Sequence, residues 1–158
     1  SATTEPSQSL LERTAHDAHP HCMACGHAAD CGLDLRFRLL PDGRVEAHFV
    51  CPARCQGYEG ILHGGVISSL LDGAMTNCLF ARGLEAVTAE MAVRFRHPTA
   101  IGQPVMVQAH IARSQPPLHV VEAQTVQAGR VTAKAQGKFM ERCNTTYLTE
   151  THTVQAER

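Results

Sequence analysis

The chain has 158 residues, of which 44% are hydrophobic and 18% charged, which suits one domain with a single sizeable core and excludes two full domains. Fourteen Lys and Arg against fifteen Asp and Glu leave a formal net charge of -1, so the basic surface that nucleic acid or an anionic membrane requires is missing. The sequence lacks the roughly 18 consecutive apolar residues of a membrane span and the layout of a signal peptide. We therefore expect a soluble, cytoplasmic protein without nucleic-acid or membrane partners.

The two ends of the chain differ in pattern from its middle. Residues 1–20 are polar with little apolar periodicity, which predicts an N-terminal arm or a short helix on the surface. Regular alternation ends near residue 143, so residues 143–158 are expected to form a C-terminal tail. Residues 21–142 then make up the single folded domain.

Seven cysteines and ten histidines are unusually many for this length. The odd number of cysteines and the absence of an export signal argue against a disulfide framework. A CxxC pair followed by glycine and a second close pair are compatible with a tetrahedral structural zinc site. The alternative is that these cysteines are small buried hydrophobes, since free cysteine is among the most buried residue types. The expected ligands are Cys22, Cys25, Cys51 and Cys55, with His16, His19, His21 and Cys31 in reserve.

A β-hairpin is predicted over residues 33–50. Apolar residues alternate from Leu33 to Leu39 and again from Val45 to Phe49, and the turn sequence Pro-Asp-Gly lies between them at 41–43. Strict alternation is typical of strands with one buried face, so both segments should be half-buried.

The pattern then changes to a helical period over about 65–82. Apolar side chains cover most of the circumference, and Asp72 is the only charged residue between Gly65 and Ala81, which indicates a helix buried on nearly all sides. The alternative is a strand, VISSLL, followed by an Asp-Gly turn. Because the apolar spacing continues beyond Gly73, the pattern favours the helix.

Four further alternating stretches follow, at about 89–95, 105–111, 118–126 and 131–139. Turn-rich breaks separate them, so the element order is β-β-α-β-β-β-β. Strands in runs with one central helix indicate an α+β domain in which a curved antiparallel sheet is wrapped around one long helix.

The start of this helix carries the residues most suited to chemistry. Backbone N–H groups at a helix N-terminus are unpaired and can stabilise an oxyanion, and glycines at 64 and 65 permit close approach of a carbonyl. Asp72 lies nine residues after His63, on a narrow polar strip that includes Ser68. A carboxylate in such a helix must be hydrogen-bonded, paired or next to a wet cleft. His63 by itself also fits an ordinary loop histidine.

Three segments together resemble the hotdog-fold acyl-CoA thioesterases of the phenylacetate-pathway and mammalian thioesterase-superfamily type. They are CMACG with GLDLRF at 22–37, GYEGILHGGVISSLLDGAM at 57–75, and TAEMAVRFRHPTAIGQPVMVQAHI at 88–111. The resemblance covers about 22–141. It implies a hotdog fold and an acyl-CoA thioester hydrolase that is active as a homodimer or homotetramer and needs no cofactor for catalysis.

The resemblance also implies roles for single residues. The N–H of Gly64, with Gly65 beside it and His63 before it, would polarise the thioester carbonyl, and Asp72 would activate water or attack directly. Thr88 matches a Ser or Thr that orients the water. The expected substrate-binding residues are Gln56, Gly57, Ser68, Arg94, Arg96 and His97, the last three near the nucleotide phosphates.

Two positions depart from that family pattern. Some relatives carry Asn six residues before the histidine, where this chain has Gly57, so Gln56 is a candidate substitute. Simple alternation places Thr88 on the same face as Glu90, Arg94 and Arg96, and such a face fits the surface or a subunit interface as well as an active site.

Two other functions fit the same fold. The first is a non-catalytic acyl-CoA-binding sensor or scaffold, with zinc-dependent assembly. The second is a dehydratase, which requires a positioned acid and base, whereas His63 lies outside the helix body. The acyl chain is not indicated by any sequence feature.

Overall fold

The structure, a computed structural model, describes residues 4–30 and 32–142. One antiparallel sheet of six strands is ordered β1-β2-β4-β5-β6-β3, and the long helix α2 packs against it. The helices are α1, Gln8–Ala18, and α2, Gly64–Phe80, and a short 3-10 turn spans Ala53–Cys55. The strands are β1, Arg38–Leu39; β2, Val45–Val50; β3, Ala86–Phe95; β4, Pro104–Gln115; β5, Leu118–Gln127; and β6, Arg130–Glu141.

This architecture confirms the predicted α+β hotdog fold. Helix α2 lies among β2 to β6, and from Gly73 to Phe80 every residue of it is buried, as its apolar circumference predicts. The alternative Asp-Gly turn is wrong, because Asp72 and Gly73 lie inside the helix. The predicted tail, 143–158, lies outside the described residues.

The first predicted strand is shorter than expected. Only Arg38 and Leu39 pair with β2, although Leu35 and Phe37 are buried with the predicted alternation. Asp34 has a left-handed φ of 52°, which interrupts extended geometry. The N–H groups of Leu33 and Leu35 instead donate to carbonyls of Met23 and Ala24. This segment therefore satisfies its backbone against the N-terminal loop rather than against the sheet.

Helix α1 lies within the predicted N-terminal arm and contacts the fold. The Ser7 hydroxyl caps it by accepting from the N–H of Leu10 at 3.2 Å. Leu11 is buried in the core, and the Ser7 N–H donates to the carbonyl of Ala81 at the end of α2. Thus the N-terminal segment packs on the domain through one helical face.

Strand β3 is an edge strand that pairs only with β6. Nine of its ten residues are partly or fully exposed, including Val87 at 54% and Phe95 at 53%. Unpaired backbone groups at such an edge can accept another strand.

Within residues 4–30 and 32–142, none of the helices has the length and apolar character needed to traverse a bilayer.

Candidate active site

The N-terminus of α2 begins with the His-Gly-Gly sequence. His63 is the N-cap, and its Nδ1 accepts a hydrogen bond from the Gly65 N–H at 2.8 Å. The Gly64 N–H makes no hydrogen bond with any of the residues described. Of the two predicted N–H donors, Gly65 is thus occupied by the cap, and Gly64 is available to an external oxygen.

Asp72 is held by the neighbouring edge strand. The Thr88 hydroxyl donates to Asp72 Oδ1 at 2.7 Å. Asp72 is partly buried, so this bond orients a carboxylate that still reaches solvent. The structure brings together two residues that the sequence analysis selected separately.

The assignment of Thr88 to the outer face of β3 by simple alternation is wrong. Thr88 pairs with Phe139, whereas Glu90 pairs with Lys138, so one extra residue bulges out between them. A bulge shifts the alternation by one position and re-aims the side chain before it. For this reason Thr88 faces the helix while Glu90, two residues later, faces outward and binds Lys138.

The loop before the histidine is closed by local hydrogen bonds. Gln56 Oε1 accepts from the Gly60 N–H at 3.1 Å, and a Cβ on Gly57 would lie 3.4 Å from the His63 ring. Gln56 thus braces this loop with its side-chain oxygen. A depression of about 330 Å³ opens here, lined by Gly57, Tyr58, Ile61, Leu62, His63 and Gly64.

The remaining predicted substrate-binding residues lie in two places. Ser68 turns its hydroxyl back onto the helix and donates to the Gly64 carbonyl at 2.9 Å. Arg94 and Arg96 line a groove of about 630 Å³ with Arg44 and Lys134. His97 is exposed just after β3. In one chain, the arginines and the His-Gly-Gly depression therefore belong to separate cavities.

The four predicted zinc ligands do not come together as one set. Among residues 4–30 and 32–142, one group has metal-binding geometry, and it consists of His19, Cys22 and Cys25. Cys51 and Cys55 are buried in the core instead; Cys51 directly follows β2, and Cys55 ends the 3-10 turn. The four-cysteine prediction is corrected accordingly.

Burial sets the protonation of the inner thiols. It raises the pKa of Cys51 to about 11 and that of Cys78 to about 11, because the thiolate loses hydration. Both groups are neutral thiols near pH 7 and behave as small core side chains. Cys51 and Cys78 therefore contribute to packing of the core.

Two neighbours of the selected residues were not found from the sequence. A Cβ on Gly64 would lie 3.6 Å from the ring of Phe95, so this aromatic side chain flanks the free N–H. Asn77 is buried in α2 and donates to Cys25 Sγ at 3.4 Å. The only sequence signal for Asn77 was a polar residue in an apolar helix.

Gly64 and Asp72 cannot reach one carbonyl group from the same helix. They are eight residues apart, which corresponds to about 12 Å along the helix axis. A thioester carbon held next to the Gly64 N–H therefore lies far from the Asp72 of that chain. Within one chain, Gly64 and Asp72 therefore cannot act on the same thioester. A shared site would need one of the two residues from a second copy of the chain.

The chain is similar in sequence to known proteins. Residues 59–134 match the model of the thioesterase superfamily. A putative esterase of Saccharolobus solfataricus is 28% identical over 110 residues, which are 68% of this chain and 78% of that protein. Mouse acyl-coenzyme A thioesterase 13 is 34% identical over 56 residues, which are 34% of this chain and 40% of that protein.

Solved structures share the fold. The PaaI protein of the E. coli phenylacetic acid degradation operon superposes with a TM-score of 0.72 at 20% identity, over 85% of this chain and 95% of that one. A Streptococcus mutans protein bound to acetyl-CoA gives a TM-score of 0.64 at 18% identity, over 68% of this chain and 88% of that one. The chain thus has the hotdog fold. Its residues 59–134, which include His63, Gly64 and Asp72, are similar to the thioesterase superfamily, a group of thioester hydrolases.

Proposed function

We propose that this chain hydrolyses acyl-CoA thioesters, with Asp72 as the general base or nucleophile and the Gly64 N–H as the oxyanion donor. The proposal is carried by the Asp72 carboxylate, which Thr88 orients at 2.7 Å on the same helix that presents an available N–H at its start. An oriented base and a helix N-terminus are the two groups that thioester hydrolysis requires. The name of the mouse relative supports an acyl-CoA substrate.

The reaction balances without a cofactor. Asp72 takes a proton from water as the water oxygen bonds to the thioester carbon, and the Gly64 N–H stabilises the negative carbonyl oxygen. Collapse of this intermediate expels the thiolate of coenzyme A and leaves the carboxylic acid. In the alternative course, the Asp72 carboxylate attacks the carbon itself and expels the coenzyme A thiolate, which leaves a mixed anhydride that water then cleaves to the carboxylic acid and free Asp72.

We further propose that two copies of the chain form each site. The separation of about 12 Å between Gly64 and Asp72 within α2 requires that one comes from a partner helix. The exposed edge of β3, with Val87 and Phe95 on it, is the surface over which a second copy would pair, since edge strands readily accept another strand. The assembly is then a homodimer, or a homotetramer made of two such dimers.

Substitution of Asp72 tests the chemistry. We expect Asp72→Asn to lower kcat/KM for acyl-CoA by about 10²- to 10⁴-fold, because the base is lost, while the thermal melt changes little. Release of coenzyme A is followed with a thiol-trapping reagent over short, medium, long and aromatic acyl chains. Turnover in labelled water distinguishes the two courses, because heavy oxygen enters the Asp72 carboxylate only after direct attack. Full activity of Asp72→Asn would refute the assignment.

Substitution of Gly64 tests the donor. Proline at the first helical position is well tolerated and removes only the N–H, and His63 already has the extended conformation that precedes proline. We expect Gly64→Pro to lower kcat by about 10²- to 10³-fold. The matched control is Gly64→Ala, which keeps the N–H and has room for its Cβ 3.6 Å from Phe95.

Mixing the two inactive variants tests the shared site. Gly64→Pro chains and Asp72→Asn chains, unfolded and refolded together, should regain about a quarter of the activity, because half the dimers are mixed and one of their two sites is intact. No recovery would show that both residues act within one chain. Saturable acyl-CoA binding by the unaltered protein without thiol release would instead establish the non-catalytic sensor.

A further inference from the structure

A cluster of metal-binding side chains, separate in sequence from the proposed catalytic residues, lies in the loop after α1. One ring nitrogen of His19 and the Sγ atoms of Cys22 and Cys25 all lie within 4.8 Å of one another. Cys25 is buried, and the other two are partly buried. The spacing His-x-x-Cys-x-x-Cys thus folds into a cluster whose three donor atoms face a common centre.

The backbone between the cysteines forms a tight turn. The Gly26 N–H donates to the Cys22 carbonyl at 2.8 Å, and the Ala24 N–H donates to Cys22 Sγ at 3.4 Å. Only glycine fits at position 26, because a Cβ there would lie 2.4 Å from the Cys22 nitrogen. The turn aims both sulfur atoms the same way and supplies an N–H donor to one of them.

A second donor comes from α2. Asn77 Nδ2 donates to Cys25 Sγ at 3.4 Å and to the Gly73 carbonyl at 2.9 Å, so its amide is fixed against the helix. Hydrogen bonds from N–H groups to sulfur stabilise a thiolate and orient it toward a metal. Each cysteine sulfur therefore has one supporting donor.

The histidine of the cluster has an unused polar atom. His19 Nδ1 is buried and has no hydrogen-bond partner in the part of the chain that the structure describes. Its ring is held edge-on against Phe80, with centroids 4.9 Å apart. A buried imidazole nitrogen without a partner costs free energy, and a metal ion bound by the ring would fix its orientation and give the ring a use.

We propose that His19, Cys22 and Cys25 bind a zinc ion that ties the end of α1 to the loop that follows it. Two thiolates with one imidazole suit Zn²⁺, which prefers sulfur and nitrogen ligands in a tetrahedron. A disulfide between the cysteines would leave His19 and its buried nitrogen without a role. Zinc takes four ligands in structural sites, so one position of the tetrahedron is left for a further ligand or a water molecule.

Metal content tests the proposal directly. The full-length protein, produced with zinc in the medium and passed through gel filtration, should carry about one zinc per chain. The double variant Cys22→Ala/Cys25→Ala should carry none. The matched control Cys51→Ala/Cys55→Ala removes the other buried pair and should keep the ion, which separates this site from a site made by all four cysteines.

A spectroscopic measurement keeps the test independent of variant folding. Cobalt exchanged into the unaltered protein should give the visible bands of a tetrahedral ion and thiolate-to-cobalt charge transfer. His19→Ala should weaken metal binding at least about 10-fold, since one ligand is lost. Removal of zinc by a chelator should lower the Tm by several degrees, because the ion binds only the folded chain.

The results of these metal-binding experiments can be judged independently of the proposed thioesterase activity. Absence of metal, absence of the cobalt bands, or equal loss of zinc from the control pair would overturn the zinc site while leaving Asp72 and Gly64 untested by it. Iron or copper in place of zinc would overturn the choice of ion. A titration of two fewer free thiols than the sequence contains, reversed by reductant, would show a disulfide instead.

Discussion

The two halves of α2 share one apolar helical pattern but differ in burial and in chemical role. From Gly64 to Asp72, five of the nine residues are partly buried, and these include Gly64 with its free N–H and Asp72 with its oriented carboxylate. From Gly73 to Phe80, all residues are buried, including Thr76 and Asn77. The difference shows that a hydrophobic helix can hold a site where the sheet leaves it uncovered.

Coverage by neighbouring elements accounts for this difference. The first half lies beside the edge strand β3, which is open on its other side, whereas the second half contacts α1 and the loop that carries Ala24 and Cys25. A carboxylate in the second half would have no route to water and would cost several kcal/mol. The comparison therefore predicts kinetic effects in one half and stability effects in the other.

The largest effect is expected from the buried half. Leu79→Ala should lower the free energy of unfolding by about 2–5 kcal/mol, because Leu79 is fully buried and the substitution leaves a cavity. Denaturant unfolding gives this value. Turnover per folded molecule should stay near that of the unaltered chain, so a loss of kcat comparable to that of Asp72→Asn would break the division between the halves.

A smaller loss of stability is expected at Gly137, where strand β6 approaches α2 closely. A Cβ on Gly137 would lie 2.6 Å from Phe139 and 3.1 Å from Met75 Sδ, so Gly137→Ala should cost about 1–3 kcal/mol by overpacking. Gly64→Ala, at the open end of α2, is the matched control. Equal melting temperatures of the two variants would show that the buried half is less tightly packed than its contacts imply.

Loss of the hydroxyl at position 88 should have a moderate kinetic effect. Thr88→Val removes the hydrogen bond to Asp72 and keeps the branched shape, so kcat should fall by about 10-fold, equivalent to roughly 1.4 kcal/mol. KM and the unfolding free energy should change little. Thr88→Ser should restore turnover, and its failure to do so would assign Thr88 to packing rather than to orientation of the carboxylate.

The smallest effect should come from a site away from α2. Hydrogen bonds from Gln108 and Arg38 hold the pKa of Glu46 below its usual value of 4.5. The folded state then releases this proton more readily than the unfolded state, so the stabilisation is present above pH 4.5 and is lost as pH falls through the folded pKa. Glu46→Gln should flatten the pH dependence of the unfolding free energy below pH 4.5, and an unchanged dependence in this variant would show that Glu46 is not its source.

Most of the fold was predictable because the patterns are regular. The order of one helix and six strands follows from periods that match α2 and β2 to β6. The strand predicted at 33–39 is reduced to Arg38 and Leu39, because alternation reports burial of Leu35 and Phe37 but does not report where their backbone groups are bonded. His63, Gly64 and Asp72 were identified by motif and by the rarity of charge in an apolar helix.

The sequence by itself determined the order of the strands and the long helix, the helix start and the single carboxylate, because periodicity and charge are local properties of the chain; the hotdog fold followed from the resemblance of its motifs. Only the tertiary structure decided that Thr88 faces Asp72, since a one-residue bulge reverses the alternation, and that His19 joins Cys22 and Cys25 in place of Cys51 and Cys55. Both results depend on contacts between segments far apart in sequence. Whether two such segments meet depends on where their hydrogen-bonding groups find partners in the folded chain. The spacing of residues along the sequence does not report this.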